Sequence, residues 1–86
     1  MTTISMPYEA AVVGPWVITR CPDGRWEYLL ESLIVDHEVL GYRAVPSVEA
    51  ATLYPSTREA SRALAQAVAD GVARDWKIKP VQEVPS

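Results

Sequence analysis

Phenylalanine and asparagine are missing from the 86 residues, cysteine and histidine occur once each, and neither basic nor apolar residues gather into a long block. Each shortage excludes something. Cys21 stands alone, so an intrachain disulfide is impossible, and with no cationic cluster at a helix start beside it the expected role is a buried small hydrophobe. Apolar runs are broken by Pro, Arg, Asp or Glu well short of the roughly 20 residues that span a bilayer, so neither a transmembrane helix nor a membrane partner is expected. The opening MTTISMPYEAAVVGPW has no basic leader and carries Glu9 ahead of its apolar stretch, which speaks against a secretory signal and for a cytoplasmic location. Gly14, Gly24, Gly41 and Gly71 are isolated, so no phosphate-cradling loop forms and no cofactor is implied. The basic residues are scattered and the net charge is -3, which argues against nucleic acid as a direct partner.

What remains is an ordinary globular composition: 49% hydrophobic and 22% charged residues place the chain away from disordered sequences. A domain of this size buries only about 60–65% of the surface its unfolded chain exposes, so its core must be thin. Residues 1–14, with Pro7 and Gly14 and no clean period, read as an N-terminal arm with a possible short strand at Ala11 to Val13. Residues 15–86 read as one α+β domain.

The pattern sharpens at Trp16. WVITRC and RWEYLLE flank Pro22-Asp23-Gly24, a turn in which Pro presets φ, Asp bonds back to the backbone and Gly takes positive φ, so a β-hairpin is expected. On its second strand Trp26, Tyr28 and Leu30 share one face and Arg25, Glu27 and Glu31 the other, which predicts an apolar face turned toward a helix. Leu33 to Val35 and Tyr42 to Val45 favour extended structure, with Asp36-His37-Glu38 and Gly41 as the break, giving a second hairpin or an irregular loop. SVEAAT, Ser47 to Thr52, is long enough for one helical turn.

Ser56 followed by Glu59 spells a capping box and starts a helix. Ala60, Ala63, Leu64, Ala67, Val68 and Val72 then form one apolar stripe, with Arg58, Arg62, Gln66, Asp70 and Arg74 on the rest. Alanine lets the helix approach the sheet closely, with Trp16, Trp26, Tyr28 and Trp76 expected to supply bulk from the other side. Gly71 should end or fray the helix. Trp76 to Lys79 alternates as a strand, and Pro80, lacking an amide donor, puts it at an edge. The expected fold is thus α+β, a small antiparallel sheet of three to four strands with one amphipathic helix on one face, in the order ββ(β)αβ.

Candidate chemistry is sparse. In an extended segment Asp36 and Glu38 would point opposite to His37, a poor arrangement for one metal ion, and a solvated turn is the favoured reading. With one His, one Cys and no nucleophile elbow, no catalytic residues can be assigned, and a non-enzymatic role is expected. Glu27, Glu31, Asp36 and Glu38 form an acidic edge suited to a basic protein surface. Glu31, Asp36, Glu38, Tyr42 and Arg43 are accordingly the expected partner-binding residues, opposed in sign to a helix exposing Arg58, Arg62 and Arg74.

Arg outnumbers Lys, and Ala and Val abound, a bias that suggests the GC-rich coding of a bacterium or its phage. From Trp16 to Val84 the order of strand, turn, strand, then A-x-x-Y-x-x-T-R-E-A (Ala51 to Ala60), helix and K-I-K-P-V-Q-E-V resembles small α+β proteins of phages and prophages, anti-CRISPR proteins among them. The resemblance implies a stoichiometric inhibitor that occupies a surface of a host defence complex, a protein or ribonucleoprotein, without turnover; a monomer is expected because Lys77, Lys79 and Pro80 blunt the edge of the last strand. It transfers no binding residue. The alternative from a different class is a small regulatory domain that dimerises through the strand carrying Ile78 and binds a metabolite at the seam.

Overall fold

The hairpins, cap and helix that the sequence announces assemble on a central strand, Trp16–Arg20 (β1), which is apolar on both faces. A computed structural model describes residues 14–85 of the protein, with only the backbone of Leu33. The arm and its short strand at Ala11 to Val13 lie outside the described residues, Gly14 excepted. Four more strands follow: Glu27–Val35 (β2), Glu38–Val45 (β3), Leu53–Tyr54 (β4) and Lys77–Pro80 (β5), with one helix, Thr57–Ala69 (α1), between the last two. All pairings are antiparallel. One side of β1 is shared, by β2 opposite Thr19 and Arg20 and by β4 opposite Trp16 and Val17, while β5 takes the other side. The sheet therefore has five strands rather than three to four among the described residues, because β4, two residues long, is too short to show a period. No helix among the described residues is long and apolar enough to cross a membrane.

Both faces of this sheet are buried. Ile18, Leu29, Tyr54 and Trp76 meet Ala60 and Ala67 of α1 on one face, with Trp16, Tyr42, Leu64, Val72 and Ile78 around them. Val17, Tyr28, Val48 and Val84 pack on the other with Trp26, Val45 and Val81. This corrects the expected facing of β2. The Trp26–Tyr28 side lies under the 3-10 turns Val48–Ala50 and Val81–Glu83, and Leu29 meets the helix instead. The Tyr28 hydroxyl donates to the Pro85 carbonyl at 3.0 Å, closing the C-terminal tail over that face. Cys21 is exposed, contrary to expectation, because β1 ends at Arg20 and the chain turns away through Pro22–Gly24.

The helix begins at the expected cap, where Ser56 is extended and its hydroxyl accepts from the Glu59 amide at 3.2 Å, but the Glu59 side chain does not return to the Ser56 amide, so only half of the capping box forms. Ala60 and Ala67 are fully buried, so the helix axis comes close to β1, as the alanine stripe predicts. Its end is a Schellman motif, with the Val72 amide bonded to the Ala67 carbonyl and the Gly71 amide to that of Val68, both at 3.0 Å. Gly71 makes the reversal at φ 105, a conformation costly to other residues.

The second hairpin is regular at its tip. Val35 pairs with Glu38 across a two-residue loop in which Asp36 (φ 52) and His37 (φ 68) are both left-handed, the requirement of a type I′ turn. Gly41 lies inside β3 opposite Leu33, where the register shifts, and not at the turn. Glycine suits the second loop position better than an imidazole-bearing residue, so His37→Gly should raise stability by about 1 kcal/mol. Urea unfolding checks this: the midpoint should rise with the slope unchanged.

An acidic groove between the helix and the projecting hairpin

One helix cannot cover five strands. It lies mainly over β1, β4 and β5, and the outer half of the β2–β3 hairpin runs past it, drawing the molecule out to 48 Å against a thickness of 21 Å. The uncovered angle between α1 and the hairpin is a groove of about 600 Å3. Glu31 of β2 and Glu38, Val39 and Tyr42 of β3 form one wall, and Glu59, Arg62 and Gln66 of α1 form the other. Tyr54 and His37 complete it.

The floor is held by hydrogen bonds. Glu31 and Tyr42 are cross-strand partners and so stand on the same face. The Tyr54 hydroxyl donates to the Glu31 carboxylate at 2.7 Å, and the Tyr42 hydroxyl to Asp70 at 3.1 Å. Gln66 donates to the other Asp70 oxygen at 3.1 Å, tying the helix end to the hairpin through one carboxylate. The Glu31 amide, left without a strand partner where β2 diverges from β1, donates to the Thr52 hydroxyl at 2.8 Å.

Burial, and then the bond to Glu31, pushes the Tyr54 phenol far above its ordinary range; burial, with Asp70 next, pushes Tyr42 up to about 12. An unfolded tyrosine releases its proton near 10, so above that pH the folded state holds more protons than the unfolded one. Stability from Tyr42 is therefore complete below pH 10 and is lost as pH rises through about 12. Urea midpoints should fall over that window, and less steeply in the Tyr42→Phe, Tyr54→Phe double variant.

Of the five expected partner-binding residues, the groove brings together Glu31, Glu38 and Tyr42. Asp36 is exposed at the hairpin tip outside it, and Arg43, paired with Leu30, is exposed on the opposite face of the sheet. Two expectations need correction. Glu31 is half-buried and bonded to Tyr54, not a free surface acid. Nor do helix and strand present separate faces of opposite sign, since Arg62 and Glu59 share the groove with the strand acids.

Sequence reasoning missed Tyr54, Glu59, Arg62 and Gln66. Their spacing does place Glu59, Arg62, Ala63 and Gln66 along one flank of a helix. Which neighbour that flank faces follows only from the docking of α1 on β1.

Three carboxylates, Glu31, Glu38 and Glu59, face the single guanidinium of Arg62, and no salt bridge joins them. Two phenol rings lie among the acids. Such a lining is suited by its charge to a positively charged group. No group of three or more His, Cys, Asp or Glu placed to hold a metal ion occurs among the described residues.

A second polar cluster braces the first hairpin. Arg20 bonds Glu27 at 2.9 Å and Asp75 at 3.0 Å, with its guanidinium 4.4 Å from the centre of the Trp76 ring. No family model, curated protein or solved structure matches this chain.

Proposed function

We propose that this protein is a non-enzymatic binding module that docks on a basic surface of a host protein or ribonucleoprotein and acts by occluding it. The most specific form of this reading is a phage-derived, cytoplasmic, monomeric inhibitor of a bacterial defence complex of the CRISPR-Cas type. One observation carries it: the hairpin leaves the body of the molecule with Ile34 (57%), Val35 (48%) and Leu40 (59%) exposed, beside the acidic groove. Apolar side chains gathered on a projection, next to convergent charge, are the makings of an interface core with a steering rim. The outer edge of β3 is also unpaired among the described strands, so its backbone can accept a partner segment.

The test is affinity capture from host lysate with mass spectrometry, followed by binding measurements on the recovered partner. Ile34→Ser, Leu40→Ser should melt close to the parent, both positions being exposed, and bind that partner at least about tenfold more weakly. Undiminished binding would remove the hairpin from the interface.

A further inference from the structure

A second cavity of about 330 Å3 lies beside β5, lined by Thr19, Cys21, Pro22, Trp26, Lys77 and Lys79 together with Arg20 and Asp75. It shares no lining residue with the acidic groove. The strand register explains its charge. Thr19 pairs with Lys77 and Val17 with Lys79, so both lysines project on the face that carries Tyr28 and Trp26.

Neither lysine has an ion-pair partner among the described residues. The one carboxylate in the lining, Asp75, is bound to Arg20 at 3.0 Å, and Arg20 is in turn held by Glu27 and stacked on Trp76. The lining thus keeps a net positive charge, two lysines beside a cluster of one guanidinium and two carboxylates, in a chain whose net charge is -3. Lysines do blunt exposed sheet edges, and Lys77 is exposed; Lys79 is half-buried beside Thr19, and both line the cavity. Trp26 supplies the remaining wall, its ring held parallel to Tyr28 at 6.4 Å and 14°.

Two ammonium groups on one side and an indole on the other suit an anion attached to a planar group, and the volume falls at the small end of the roughly 300–1,000 Å3 range of ligand pockets. We infer that this pocket binds a small phosphate monoester carrying a planar ring, with Lys77 and Lys79 on the phosphate and Trp26 against the ring. The site goes beyond the docking function and does not depend on it.

Adenosine 5′-monophosphate is the probe, titrated into the intact protein with amide and indole NMR shifts and calorimetry as readouts. The Trp26 indole and the Lys77 and Lys79 amides should shift in a saturable manner, with inorganic phosphate and adenosine each binding more weakly than the monoester. Lys77→Gln, Lys79→Gln should weaken the monoester at least about tenfold while the melting temperature holds, because no hydrogen bond or ion pair of the fold is removed. Shifts confined to other residues, or equal affinity in the double variant, would overturn the site. Tighter binding of a 5′-phosphorylated trinucleotide than of the monoester would overturn the small-molecule assignment in favour of a nucleic-acid end. Retention of this binding in the Ile34→Ser, Leu40→Ser protein would separate the two sites.

Discussion

Ala67→Asp should abolish the cooperative unfolding transition. Ala67 is fully buried where α1 crosses the sheet, in one cluster with Ile18, Leu29, Tyr54 and Trp76, none of which carries a positive charge to compensate a carboxylate placed there, and the Tyr54 hydroxyl is already given to Glu31. An unpaired buried charge costs several kcal/mol, and a domain of this size holds only ~5 kcal/mol in all. The carboxylate also needs volume that the alanine stripe does not leave, since the helix sits close precisely because its inner side chains are small. Leu64→Asp, at a half-buried position on the same stripe, should be severely destabilised yet retain some helix. Ala65→Asp is the control: its position is exposed on the outer face of α1 and should melt close to the parent. Circular dichroism during heating distinguishes the three, and equal melting of the Ala67 and Ala65 variants would show the register of α1 to be wrong.

The same residue shows what the sequence could and could not convey. Spacings of three and four identified the stripe, and the Ser56 cap and Gly71 stop bounded it, because these are local signals decided within a turn or two of helix. The first hairpin was legible for the same reason, through Pro22-Asp23-Gly24, whereas the second is ambiguous in sequence between a hairpin and an irregular loop, because Asp36-His37-Glu38 and Gly41 read together as the break. The face of β2 was misread although Tyr28-Leu29-Leu30 is an unbroken apolar run, the mark of a strand covered on both sides. Trp26 and Tyr28, as the largest rings, were assigned to the helix, whereas the 3-10 turns and tail that cover them have no periodicity to announce them. The groove needed more still. Glu31 and Glu59 are 28 positions apart and meet only through the docking of α1 and the divergence of β2 from β1.

Reversing the groove acids that carry no structural bond should slow docking while costing the fold only about 0.5–1 kcal/mol, for a lysine in the first turn of α1. Glu38 and Glu59 are both exposed, both line the groove, and neither side chain makes a hydrogen bond or ion pair among the described residues. Glu31 is unsuitable, because replacing it with lysine also strips the Tyr54 hydroxyl of its acceptor. Glu38→Lys, Glu59→Lys changes the local charge by four units and leaves Arg62 reinforced by two new cations. Long-range attraction to a basic partner then becomes repulsion, and association should slow by about an order of magnitude or more at low salt. The dissociation rate should change less, since rim charges act mainly on encounter. At physiological salt the Debye length shrinks to about 8 Å and the difference between parent and variant should narrow. Arg58→Ala, Arg74→Ala serves as the comparison: neither residue lines the groove, and association should be unchanged. Surface plasmon resonance against the captured partner at two ionic strengths measures all of this. Equal on-rates for parent and Glu38→Lys, Glu59→Lys would take the groove out of the encounter, and a larger loss from the arginine pair would move the interface to the surface around Arg58 of α1 and Arg74 of the turn before β5, with an acidic partner.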